Sequence, residues 1–254
     1  MPADYSFIQE TIYVIGNNEA SGDYGAVNAT DVVSLGIFQW YGSRAYDLCY
    51  SIYSTLGESA SESILGTELV DELKQNNSAL WNSFTPNSDE RSKLSEFITQ
   101  DAAITIQNNL AETDAWSYIK TGQNYGLTDG QALIYFADLY NQSPRQAVNI
   151  ISAAGGAIYA NNLTNLHKAA MSNSVMNKYS TRRNWTYNEL LAWSGQGEAP
   201  PPSGGGGWVG GDYGLNSHDY IVQVNGILIL YSQQYPTGRI YIPTNTSLFY
   251  PKNS

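Results

Sequence analysis

Cysteine is almost absent from this 254-residue chain: Cys49 stands alone, so no disulfide can close within it and no cysteine cluster can hold a metal. Histidine is nearly as scarce. His167 and His218 lie far apart and match no His-Glu-x-x-His spacing, which argues against a zinc amidase or peptidase. The single thiol sits within RAYDLCYSIY, an amphipathic stretch with no activating partner nearby, and reads as core instead of as a papain-like nucleophile. Charged residues make up only 14% of the chain, and 12 cations against 23 acids leave a net charge of -11. That balance lacks the basic face that nucleic acid requires. No apolar run is long enough to cross a bilayer. The opening MPADYSFIQETIYVIG lacks the positive and apolar regions of a secretion signal, which predicts a product made in a cytoplasm. A phosphate-binding Gly-x-x-x-x-Gly-Lys-[Ser/Thr] loop is missing too, and no cofactor or metal is expected.

In place of charge the chain carries 20 Tyr, 6 Trp and many Asn, Gln, Ser and Thr. Such a surface suits polar, uncharged partners such as carbohydrate, whose rings stack on aromatic faces and whose hydroxyls bond to amides. The hydrophobic share of 42% supports a sizeable core. Helical periodicity dominates residues 1–198: Ile8, Ile12 and Ile15 recur at i, i+4 and i+7. DAAITIQNNLAETDAWSYI, DGQALIYFADLYNQ, PRQAVNIISAAGGAIYA and NWTYNELLAW behave alike. Turns are expected at Gly57, Gly66, TPNSD (85–89) and Gly126. EAPPPSGGGGW then reads as a Pro/Gly-rich linker over 199–207. Beyond it the period switches to two. DYIVQV, Asn225-Gly226 and ILILYS form a hairpin signal, and RIYIP a third strand, so 208–254 is expected to be a small antiparallel β unit for binding or assembly.

One segment, NNEASGDYGAVNATDVVSLGIFQWYGSRA (17–45), stands out. The stripe Ile8, Ile12, Ile15 continues to Glu19, placing a carboxyl on the core-facing side where the helix meets Ser21-Gly22. Apolar walls would disfavour its charged form, and a protonated carboxylic acid near neutral pH is what glycosidic cleavage needs. By position alone, the simpler reading of Glu19 is a helix-end residue satisfied by loop amides.

The same segment resembles the first catalytic motif of the lysozyme superfamily, which includes goose-type lysozymes, lytic transglycosylases, certain chitosanases and phage lysozyme domains. EASGDYG supplies the helix end and an aromatic, and SLGIFQW supplies Ser34, Gly36 and Gln39, twenty positions after Glu19. The nearest variant is the phage and prophage form, GDYGAVN…D…SLGxxQWxGxRA. The resemblance covers residues 8–45 closely and 100–195 loosely, and nothing after the linker. It implies a mainly α, lysozyme-like catalytic domain acting on bacterial cell-wall glycan. A released endolysin or a virion component held by phage tail proteins, made in the host cytoplasm and without membrane insertion, would fit.

Carried over, Glu19 is the general acid. Asp31 is a candidate for activating water, with Asp23 its rival; an inverting pair stands roughly 6.5–9.5 Å apart, whereas lytic transglycosylases use the glutamate alone. Either aspartate could simply cap a turn. Tyr24, Ser34, Gln39, Trp40, Tyr41, Tyr140 and Asn141 are candidate substrate-binding residues, the aromatics being equally at home in a core. Arg44 is expected to pair with a loop carboxylate, and Asp138 to face solvent. The cations of STRRNW (180–185) suit a peptidoglycan carboxylate or a solvated helix start. Two other readings stay open: a chitosanase-like hydrolase, which the acidic charge favours, and a non-catalytic glycan-binding virion protein.

Overall fold

In a computed structural model, the described residues are 3–193, 220–224, 227–231 and 239–240, with side chains described for 7–193. The chain divides into two units, Met1–Pro202 and Ser203–Ser254. The expected linker at 199–207 lies outside the described residues.

The first unit is mainly helical. It opens with α1 (Ala3–Ala20), passes three very short strands, β1 (Val27–Asn28), β2 (Ser34–Leu35) and β3 (Trp40–Tyr41), and enters α2 (Ser43–Leu56). Next come α3 (Glu58–Leu65), α4 (Thr67–Lys74), a 3-10 turn at Ser78–Asn82 and α5 (Ser88–Ile98). The long α6 (Asp101–Asn124) leads to α7 (Gly130–Gln142), α8 (Pro144–Ala153), α9 (Ala157–Ala160) and α10 (Leu163–Ser172). A second 3-10 turn, Met176–Tyr179, runs into α11 (Ser180–Ala192). The expected breaks at Gly57, Gly66, 85–89 and Gly126 are present, whereas the stretch 144–160, read as one helical pattern, is broken at Gly155 and Gly156 into α8 and α9. Gly57, Gly66 and Gly126 all have positive φ, and Asn87 caps α5 through the amides of Asp89 and Glu90.

α7 is the centre of the core. Ala132 to Leu139 are buried on every side, and α1, α6, α8, α10 and α11 pack around them. Its large apolar side chains, Leu133, Ile134 and Phe136 among them, are wholly inaccessible, each burial stabilising the fold by about 1.5–3 kcal/mol. The same core continues from α2 to the first 3-10 turn, where the Trp81 ring meets Tyr46 edge-on at 5.6 Å and Phe84 at 5.0 Å. Cys49 is fully buried in α2, where burial pushes its thiol pKa up, consistent with a core role.

α6 spans both regions, packing on α1, α2, α5 and α7. Its buried face is Ala103, Gln107, Ala111, Asp114, Ala115, Ile119 and Gly122, while Ile104, Ile106, Leu110 and Trp116 are only half-buried. Small residues admit the close approach of neighbours. At Gly122 an added Cβ would stand 2.8 Å from Leu133 and 2.9 Å from Phe136.

The segment between α1 and α2 holds an antiparallel three-stranded sheet in the order β1-β2-β3, with Leu35 opposite both Val27 and Trp40. Two-residue strands carry no alternation that a sequence period could reveal. Gln107 fixes this sheet to α6: its Oε1 accepts from the Ile37 amide at 3.1 Å, and its Nε2 donates to the Tyr24 and Ile98 carbonyls at 3.1 and 2.8 Å.

In the second unit, β4 (Tyr220–Val224), β5 (Ile227–Tyr231) and β6 (Arg239–Ile240) form an antiparallel sheet in that order. Val224 stands opposite Ile227 and Ile229 opposite Ile240. The Asn225-Gly226 turn and residues 241–243 of the expected third strand lie outside the described residues.

Two glycines should respond in opposite ways. Gly36 has φ +72°, and a Cβ there would fall 2.2 Å from Gln107 Oε1. Gly36→Ala should therefore destabilise the first unit by about 2–4 kcal/mol, read by thermal or denaturant unfolding. Gly16, inside α1, has only ordinary contacts around its missing Cβ, the nearest at 3.7 Å. Gly16→Ala should be neutral or stabilising by up to about 1 kcal/mol.

Candidate active site

The innermost stripe of α1 is Phe7, Thr11, Val14 and Ile15, and at the next turn the half-buried Asn18 reaches the buried Asp138. Glu19 follows on the shoulder of the helix, its side chain 18% exposed. The apolar walls expected around it are replaced by polar partners. Asn141 Nδ2 at the end of α7 donates to Glu19 Oε1 at 2.8 Å, and Arg182 NH2 in the first turn of α11 reaches the same oxygen at 2.8 Å. No protein donor among the described residues reaches Oε2. The carboxyl is thus held by one atom and left available at the other.

Behind this pair stands Asp138, fully buried where solvent exposure was expected. Its Oδ1 takes Arg182 NH2 at 2.6 Å and Asn18 Nδ2 at 3.1 Å, and its Oδ2 takes Thr186 Oγ1 at 3.0 Å. Arg183 NH2 lies 2.9 Å from Oδ2 as an ion pair whose angle falls outside hydrogen-bond geometry. Its guanidinium sits over the Tyr135 ring at 6.0 Å from the centroid. Burial works to raise the Asp138 pKa, but the Arg182 and Arg183 charges, with the Arg182 and Thr186 hydrogen bonds, outweigh it and hold the carboxyl below its ordinary value. Burial likewise opposes the Arg182 charge, and Asp138 and Glu19 overcome it, leaving the guanidinium above its ordinary range. The helical pattern of α7 predicted neither the burial nor this function of Asp138. The visible signal was the Arg182-Arg183 pair, two adjacent cations in an acidic chain.

Glu19 borders an open groove of about 910 Å³. Asp23, Gly25, Ala26, Val27, Asn28 and Gln39 line one side, and Ser88, Arg91, Ser92, Ser95, Glu96 and Thr99 from α5 line the other. Ser95 Oγ donates to the Gly25 carbonyl at 2.8 Å, tying α5 to the loop. Asp23 is exposed, and its Oδ1 accepts from the Gly25 amide at 2.8 Å. Gln39, in a left-handed conformation at φ +50°, donates from Nε2 to the Gly36 and Ala26 carbonyls and accepts from Ser34 Oγ at 3.1 Å. The structure therefore brings together Glu19, Asp23 and Gln39 in the groove, with Asn141 on the carboxyl itself and Ser34 supporting Gln39.

The other candidates stand elsewhere. Asp31 is exposed and does not line the groove; its carbonyl accepts from Thr85. Trp40 is buried, stacks with Phe38 and donates to Asp114 Oδ2 at 2.8 Å. Tyr41 is exposed but outside the groove lining. Tyr24 donates to Asn108, and Tyr140 packs between Phe136 and Tyr118. Arg44 pairs with Asp114 of α6 at 2.7 Å, not with a loop carboxylate. Tyr118, whose hydroxyl donates to Asn141 Oδ1 at 3.2 Å, has its pKa pushed up to about 12, chiefly by burial, so it stays a neutral donor beneath the site. The α5 wall, with Arg91 and Glu96, was not anticipated at all. Among the described residues no cluster of acids, histidines or cysteines could hold a metal, and no helix is long and apolar enough to cross a membrane.

No protein-family model matches this chain, and neither a curated protein nor a solved structure does. The site must be read from its own geometry.

Asp138→Asn leaves Arg183 buried beside a neutral partner and should cost about 3 kcal/mol or more at pH 7. A depressed carboxyl stabilises the fold above the ordinary carboxylate range, and that stability is lost as pH falls through the folded value. The gap in unfolding midpoint between wild type and Asp138→Asn should therefore be full at pH 7 and close below about pH 4. A gap that widens towards acid would contradict the assignment.

Proposed function

We propose that this protein cleaves glycosidic bonds in bacterial cell-wall glycan, as a muramidase or lytic transglycosylase of the lysozyme superfamily, with Glu19 as general acid. The observation that carries the reading is the placement of Glu19. A half-buried carboxyl stands at the end of α1 on the edge of an open polar groove, anchored through Oε1 and free at Oε2. The resemblance of residues 8–45 to the superfamily's first motif supports it, since Glu19 and Gln39 of that motif line one groove.

Chemically, protonated Glu19 delivers its proton from Oε2 to the glycosidic oxygen as the bond from that oxygen to C1 breaks, and the leaving sugar departs as an alcohol. Asp23 is the second carboxylate we assign, in preference to Asp31, because it shares the groove. In hydrolysis it takes a proton from the water that attacks C1. In transglycosylation a hydroxyl of the sugar itself closes onto C1, giving an anhydro end, and returns the proton to Glu19. Asn141 and Arg182 position the acid; neither needs to touch substrate for this role. The phage-type form of the motif fits an enzyme brought to the wall by release from a host or on a virion.

A chitosan-cleaving variant is the second reading. It is favoured by one observation: Glu19, Asp23 and Glu96 line the groove against the single cation Arg91, a balance that would attract a polycationic glucosamine chain.

Glu19→Gln keeps an acceptor at Oε1 for Asn141 and Arg182 but cannot donate a proton. Release of sugar ends from purified walls should fall at least about a hundredfold, with the unfolding midpoint within a few degrees of wild type. A large fall in midpoint would make Glu19 structural. Asp23→Asn should impair hydrolysis while Asp31→Asn leaves it near normal, and the reverse order would return the second role to Asp31. Chitosan run beside the walls separates the two substrates.

A further inference from the structure

Beside Glu19 lies a second hollow of about 480 Å³, lined by Asn17, Asn18, Lys178, Tyr179, Thr181, Arg182 and Trp185. It carries no carboxylate in its lining, whereas the first groove carries three. Arg182 belongs to this hollow and, through its 2.8 Å contact with Glu19, marks the boundary between the two. A polymer lying across Glu19 would pass from one to the other.

We propose that this second hollow is an anion subsite that takes a carboxylate carried by the substrate, such as the lactyl or peptide carboxylate on an amino sugar. The assignment rests on the glycan-cleaving reading given above. The donors are of the right kind and are not satisfied within the protein. Arg182 commits Nε and NH2 to Asp138 and Glu19, and its NH1 makes no hydrogen bond to any described residue. Lys178 is exposed and has no ion-pair partner among the described residues. Asp138 and Glu19 already answer the Arg182 charge, so Lys178 supplies the unpaired positive charge of the hollow and Arg182 NH1 a free donor beside it. Trp185, half-buried and 6.0 Å from Tyr13, and the half-exposed Tyr179 add aromatic surface on which a sugar can rest. The subsite would select acidic wall glycan over chitosan, whose amines Lys178 and Arg182 repel. It would also couple binding to catalysis, because a carboxylate on Arg182 competes with Glu19 for the same guanidinium.

The test uses an N-acetylmuramyl peptide with one free carboxylate, and the same molecule with that carboxylate amidated. A single amino sugar offers no glycosidic bond to cut, so binding is read by calorimetry whatever the activity. Wild-type protein should bind the acid about tenfold more tightly than its amide, and Lys178→Glu should abolish or invert that preference. The exposed position of Lys178 makes misfolding avoidable, and an unchanged unfolding midpoint checks it. Equal binding of acid and amide by wild type would overturn the proposal. Displacement of the acid by inorganic phosphate at comparable concentration would also overturn it, by showing a general anion site. A clear acid preference in a protein that releases nothing from walls would leave the subsite standing and remove the glycosidase.

Discussion

Everything about the site depends on a carboxylate buried beneath it. Asp138 is removed from water on the central helix α7 and meets Asn18 from α1 and Thr186, Arg182 and Arg183 from α11. Burying that charge is costly unless it is paired, and the pairing can be completed only if three helices arrive together. Once they do, Arg182 is fixed, and with it the direction from which Glu19 Oε1 is held. The catalytic carboxyl we assign is therefore positioned by a structural one.

The opposite wall rests on a neutral polar hub. Gln107 on α6 satisfies one amide and two carbonyls from three different segments, and so decides where the three-stranded sheet lies. Gly36 is bare because the Gln107 side chain occupies the space a Cβ would fill. The close fit also explains why α6 buries Ala103, Gln107, Ala111 and Gly122 while Ile104 and Ile106 are only half-buried. α6 thus joins the core helix α7 to the sheet whose loop faces α5 across the groove.

The helices were legible because their period and their breaks agree: positive-φ glycines at 57, 66 and 126 stand where the apolar patterns end. The sheet at 27–41 was not, since pairs of two residues leave no pattern. The Ile8, Ile12, Ile15 stripe pointed Glu19 at the core, but the buried face of α1 also takes in Phe7, Thr11 and Val14, and Glu19 stands at its shoulder among polar partners. Asn141 and Arg182, 41 positions apart, meet at the Glu19 carboxyl, and Asn18 and Arg182, 164 positions apart, meet at Asp138; only tertiary structure brings them together. Likewise nothing local distinguishes Asp23 in the groove from Asp31 outside it, and Trp40 shows its core role only through the Asp114 contact.

The two hollows differ in charge: three carboxylates line the groove at Glu19, whereas the lining of the second holds Lys178 and Arg182 and no carboxylate. The central claim is that chemistry at Glu19 breaks glycan. Mass spectrometry of fragments released by the full-length protein from purified cell walls tests it most directly. The account predicts soluble muropeptides with new reducing ends, or anhydro ends, and intact peptide stems. Fragments with new amino termini and uncut glycan, or walls that bind the protein and release nothing, would contradict it.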